Sequence, residues 1–152
     1  MSRRPAPLPG AAILLALLLN VVACVSVRFV GDYDVEIDKG ISNVLQQFQS
    51  IFTRMERTAG TDGALYRNYV KEYDEIRTEL RVLLARAAAH VKNDLTVQQI
   101  DLLLDSLSKL EDLHRLGPIP IEQQAVLRRG IETSCTAILK LELAKKRGDS
   151  GS

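Results

Sequence analysis

One short stretch of this chain has the residue types and spacing that metal chemistry uses. Glu111-Asp112-Leu113-His114 carries the Glu-x-x-His step, which puts a carboxylate and an imidazole on one helical face, as in di-iron bundles. Such a centre needs a second pair and two further inward glutamates. The other histidine, His90, has Ala87 three residues before it, so the set is incomplete and coincidence of spacing is the better account. The alternating acids Asp32, Asp34, Glu36 and Asp38 look like the opening of a calcium loop. However, Ile37 stands where that loop needs glycine and Asn43 where it needs its bidentate glutamate, which favours a charged helix start instead. Cys135 lies among Thr133, Ser134, Thr136, Ala137 and Ile138, without the electropositive neighbours of a reactive thiol, and is expected to be a small buried hydrophobe. Two histidines build no convincing nucleophile–base arrangement. The expectation is a protein that is not an enzyme and takes no metal and no cofactor.

Two further groups are candidates for contact with a ligand. Tyr66, Tyr69 and Tyr73 fall on one side of a helical segment and can stack on a sugar or peptide, although tyrosines so placed are more often core residues with the hydroxyl at the rim. Lys140, Lys145, Lys146 and Arg147 can touch anionic lipid or cell wall; complementing the negative end of a helix is the simpler role.

These residues are carried on four apolar periodicities. Ile37, Ile41, Val44, Phe48, Ile51 and Met55 recur at alternating steps of four and three, with Asp32 or Asp34 as N-cap. Thr58 to Gly63 ends that helix. A second, from about Ala64 to His90, is marked by Leu65, Tyr69, Tyr73, Ile76, Leu80, Leu83 and Ala87. Thr96 and Gln99 look like a capping box opening a third, with Ile100, Leu103, Leu107 and Leu110 inward and Leu104 and Leu113 widening the stripe. Gly117-Pro118-Ile119-Pro120 stops it. The fourth starts near Pro120 and turns Leu127, Ile131, Ser134 or Cys135, Ile138 and Leu141 inward. Four amphipathic helices with short connections predict an all-α, antiparallel four-helix bundle, since each stripe leaves water only by facing the others.

Upstream, Met1-Ser2-Arg3-Arg4 is a positive leader, and Ala11 to Ala23 is apolar except for Asn20 and closes on small residues. That is the grammar of a secretory signal peptide. The alternative, an uncleaved anchor, is short of the roughly 20 apolar residues a spanning helix wants, because Arg28 interrupts downstream and Pro5, Pro7, Pro9 and Gly10 upstream. Val21-Val22-Ala23-Cys24 resembles the lipobox of bacterial lipoproteins at every position. The resemblance implies a diacylglyceryl thioether on Cys24, cleavage before it and a membrane held by N-terminal lipid, two or more acyl chains anchoring stably where one does not. Val25-Ser26 in place of an early aspartate implies sorting to the outer membrane, facing the periplasm. Beyond the signal, Tyr33-Asp34-Val35-Glu36-Ile37-Asp38-Lys39-Gly40 and Ala137-Ile138-Leu139-Lys140-Leu141-Glu142-Leu143-Ala144-Lys145-Lys146 resemble a group of small envelope lipoproteins to which no activity is attached.

The expected organisation is a signal peptide over 1–23, a lipidated leash over 24–31, a bundle over 32–147 and a frayed tail over 148–152. Removing 1–23 takes away Arg3 and Arg4 and leaves 18 basic and 19 acidic residues, a balance that argues against nucleic acid as partner. With Cys24 acylated, Cys135 has no partner for a disulfide; a bridge between the two is the competing arithmetic. The functional expectation is a binding or scaffolding module with an envelope protein as partner. The alternative is a binder of a small molecule or cell-wall fragment in a crevice near Tyr66, Tyr69 and Tyr73.

Overall fold

A computed structural model describes residues 31–149; the expected signal peptide over 1–23, the expected lipidated leash with Cys24 up to residue 30, and residues 150–152 lie outside it. The chain forms α1 (Val35–Thr58), α2 (Val70–Ala88), α3 (Asp94–Leu116) and α4 (Ile121–Asp149), with no strand among the described residues. Helix α1 packs on α2 and α4, and α3 packs on the same two, giving an antiparallel four-helix bundle in sequential order.

Helix α1 follows its sequence pattern closely. Asp34 has the extended backbone of an N-cap, and its Oδ1 accepts from the N–H of Glu36 (2.9 Å) and of Ile37 (3.4 Å). All six predicted seam residues are buried, together with Phe52, one position off the seam. At Gly40 a Cβ would stand 2.5 Å from Leu83 Cδ2, so the missing side chain lets α1 and α2 approach closely.

Helix α2 begins later than its periodicity predicts. From Asp62 the chain makes two 3-10 turns, Asp62–Ala64 and Tyr66–Asn68, separated by Leu65 in extended conformation, and the α-helix starts at Val70. Side chains take the carbonyls that an α-helix would use there. Asn68 Nδ2 donates to Asp62 O (2.8 Å) and His114 Nε2 to Ala64 O (2.8 Å). Tyr69, Tyr73, Ile76, Leu80, Leu83 and Ala87 are buried as expected.

The capping box predicted at Thr96 and Gln99 does not form. Helix α3 starts two residues earlier, and Thr96 is fully buried with its hydroxyl donating to Glu142 Oε1 (3.0 Å). Ile100, Leu103, Leu107 and Leu110 fill the core, with Leu104 and Leu113 packed at its margin. Gly117 closes α3 at φ 154°, ψ 176°, a conformation open essentially to glycine alone.

Helix α4 opens on the carbonyl of Pro120, which accepts from the N–H of Gln123 and Gln124 (both 3.0 Å). Ile131, Cys135 and Ile138 are buried, whereas Leu141 is only half-buried and Glu142 takes the inward place. The helix continues through Gly148, where a frayed tail is expected from the sequence.

The α2–α3 turn holds Lys92 at φ 60°, and its carbonyl accepts from Gly31 N (2.8 Å). A non-glycine residue in that left-handed region costs roughly 1–2 kcal/mol. Lys92→Gly is therefore expected to raise stability by roughly 0.5–1 kcal/mol, part of the relief being offset by the freer unfolded chain; the midpoint of urea unfolding followed by circular dichroism measures it.

Candidate functional site

Polar side chains enter the bundle at both ends of the apolar core. The register that buries the seams also buries them. Extending the four-three steps past Ile37 reaches Asp34, past Ile100 it reaches Thr96 and Asn93, and past Ile138 it reaches Glu142 and Lys145. At the other end it carries α3 from Leu110 to His114.

At the end where the chain enters α1, these residues form one layer. The Lys145 ammonium donates to Glu142, to Thr96 Oγ1 (2.7 Å) and to Asn93 Oδ1 (2.5 Å). Glu142 also accepts from the backbone N–H of Asp34 (3.2 Å), and Asn93 Nδ2 donates to Ala87 O (3.0 Å). Asp34 Oδ2 binds Arg86 Nε (2.6 Å) and lies 3.2 Å from His90 Nε2. Burial pushes the Asp34 carboxyl up, but Arg86 and the capping N–H groups outweigh it and hold it below its ordinary value. All four helices thus meet around one buried ion pair. This corrects the expectation for Lys145, which belongs to the interior and not to a basic last turn; Lys146 instead stands over the Tyr33 ring, 5.2 Å from its centroid.

The far end holds the residues singled out for chemistry. Tyr66 O–H donates to Glu111 Oε1 (2.6 Å), which also accepts from Arg115 (2.6 Å), while Arg77 binds Oε2. Burial opposes ionisation of Glu111, yet Tyr66 and the two guanidinium groups hold its pKa below the ordinary value. His114 uses both ring nitrogens. Because Ala64 O can only accept, Nε2 carries the proton, and Nδ1 accepts from Tyr73 O–H (3.0 Å). Burial lowers the pKa of this imidazole and keeps it neutral. Tyr69 O–H meets Thr58 Oγ1 (3.0 Å), and Arg54 lies over the Tyr69 ring at 4.3 Å.

The three tyrosine hydroxyls therefore diverge to three different protein partners and do not converge on a crevice. Tyr69 and Tyr73 are fully buried, and Tyr66 is packed against the core. A metal at Glu111 and His114 would have to displace Tyr66, Arg77 or Arg115 from the carboxylate and Tyr73 or the Ala64 carbonyl from the imidazole, and no cluster of three or more His, Cys, Asp or Glu among the described residues is placed to hold one. The four acids near the start of α1 also separate: Asp34 caps the helix, Asp38 accepts from Tyr33 O–H (2.8 Å), and Glu36 faces Lys39 (3.5 Å). Cys135 is fully buried, and burial pushes its thiol up to about 12, which makes it inert.

An open groove of about 850 Å³ runs along the outer side of α1 and α2, lined by Gln47, Lys71, Asp74, Glu75 and Glu79 among others. Glu79 is held there by Gln47 Nε2 (2.6 Å) and Asn43 Nδ2 (2.9 Å). Sequence reasoning missed both the groove and the Glu142–Lys145 layer. The layer had a signal in the unbroken heptad register; the groove, built of ordinary surface residues, had none. No family model matches the chain, and neither a curated protein nor a solved structure matches it significantly.

Two predictions follow from the polar ends. Lys145→Met leaves Glu142 buried without its counter-charge and is expected to cost roughly 3–5 kcal/mol in urea unfolding. Glu142→Leu/Lys145→Met removes both charges and is expected to be more stable than Lys145→Met alone. The second concerns acid. His114 has an ordinary value of 6.5 that the fold lowers, so below that pH the unfolded chain binds a proton the folded chain resists. Stability is complete above about pH 6.5 and declines as the pH falls through it toward the folded value. Asp34 and Glu111, lowered from 3.8 and 4.5, add a further loss at more acidic pH. Thermal melts between about pH 8 and pH 5 are expected to show the first decline, and His114→Gln, which keeps a donor for Ala64 O, to flatten it.

Proposed function

We propose that this chain is a lipid-anchored helical module of the bacterial cell envelope, tethered through Cys24 and acting by binding or scaffolding rather than by catalysis. The observation that carries the proposal is Val21-Val22-Ala23-Cys24, placed between a signal-like apolar run and a bundle that begins only ten residues later at Asp34. The fold is compatible with it. None of the described helices is long and apolar enough to cross a membrane, and the chain enters the bundle at one end of a rod with a continuous apolar core. Val25-Ser26 after the cysteine supports the outer membrane, with the bundle on its periplasmic face. The near balance of charge supports a protein or cell-wall partner over nucleic acid.

A second reading, a binder of a small polar molecule or cell-wall fragment, is favoured by the α1–α2 groove, whose mixed Lys71, Asp74 and Glu75 lining offers both signs of charge. It moves the ligand from the tyrosines to the opposite side of α2.

The anchor has a direct test. Intact mass of the membrane-extracted protein is expected to show loss of residues 1–23 and gain of acyl chains, and Cys24→Ala to abolish both and shift the protein out of the detergent phase. Unchanged partitioning of Cys24→Ala would mean that an uncleaved apolar helix holds the chain, and the lipoprotein reading would fall.

A further inference from the structure

We infer that the α2–α3 turn, led by Val91, rests on the phospholipid bilayer, so that the bundle stands on its polar-layer end; this depends on acylation of Cys24 as proposed above. Two observations point to it. The first is where the tether enters. Gly31 is held on the turn itself, its N–H donating to Lys92 O (2.8 Å), and a Cβ at Gly31 would lie 2.9 Å from Val91 O. Six residues, 25–30, separate the acylated Cys24 from Gly31, and the seven residue-to-residue steps reach at most roughly 25 Å. The 23-residue α3 alone is about 35 Å long, so a bundle standing on the far tip would carry Gly31 out of reach of the bilayer.

The second observation is what the turn presents. Val91 is 84% exposed and Leu95, the second residue of α3, 53% exposed, apolar side chains at the end of the rod nearest the tether. Exposed charges at this end are of both signs: Lys92, Lys146 and Arg147 stand with Asp32 and Asp94. Contact is therefore expected to come from insertion of the apolar turn at the headgroup boundary, not from attraction to anionic lipid. In this pose the opposite tip, with Leu116 and Ile121 exposed around Gly117–Pro120, is carried away from the membrane.

The chain contains no tryptophan, so a single one is a clean reporter. The mature, acylated variants Val91→Trp and Leu116→Trp, beginning at Cys24 and verified by intact mass, would be reconstituted into phosphatidylethanolamine–phosphatidylglycerol vesicles with and without nitroxide-labelled lipid. Both positions are exposed, so neither substitution disturbs the core. The expected result is a blue-shifted Val91→Trp emission, quenched at least about twofold more strongly than Leu116→Trp, at the depth of an interfacial side chain. Equal quenching of the two would mean a rod lying flat, and no quenching of Val91→Trp on acylated protein would mean a bundle held off the surface; either overturns the inference and leaves the anchor standing. A mass without acyl chains would overturn both.

Discussion

Glu142 and Lys145 form an ion pair one turn apart on α4, buried in the interior of a four-helix bundle, and the rest of the fold has to supply the hydrogen-bond partners that let it stay there. Moving either from water without the other costs several kcal/mol. Their mutual attraction offsets that cost only because Thr96, Asn93 and the backbone of Asp34 complete the hydrogen bonding. Those partners come from the entry to α1 and from α3, while Asn93 reaches back to the end of α2. Both charges ride on α4, so a one-position slip of α1 or α3 against it would keep the pair but take away the Asp34 N–H, Thr96 and Asn93 that complete its hydrogen bonding, whereas an all-apolar layer would tolerate the slip. The layer therefore fixes register, as single buried polar residues do in coiled coils.

The distal cluster works by the same logic with weaker charges. Glu111 faces two guanidinium groups and a phenol, and His114 remains neutral between a phenol and a carbonyl. Here the irregular Asp62–Asn68 segment is part of the arrangement, because its Ala64 carbonyl is the acceptor that sets the histidine tautomer. The aromatic rings of Tyr66, Tyr69 and Tyr73 pack around that imidazole at 5–6 Å between centroids. Residues whose types suggest chemistry are thereby committed to holding α2, α3 and the α1–α2 connection together.

The two ends differ in what they leave exposed. At the end where the chain enters α1, the polar layer is covered by that entering segment and by the α2–α3 turn, with Val91 projecting from it. At the far end Leu116 and Ile121 flank a loop stiffened by Pro118 and Pro120.

The periodicity of Ile37 to Met55, Tyr69 to Ala87, Ile100 to Leu110 and Ile131 to Ile138 by itself determined four helices and their inward faces, because a repeat of three and four residues matches the helical turn and little else. Local backbone chemistry in the sequence also narrowed the α1 cap to Asp32 or Asp34, of which the structure uses Asp34, and placed the break at Gly117–Pro120. Tertiary structure alone decided what the polar residues do. Thr96 passes for a cap and Lys145 for a surface charge until Glu142, 46 residues from the first and three from the second, is seen between them. The tyrosine hydroxyls likewise have no partners until α3 brings Glu111 and His114 beside them. A polar side chain on an inward face is costly or stabilising according to what stands opposite it, and what stands opposite is set by packing between segments far apart in the chain.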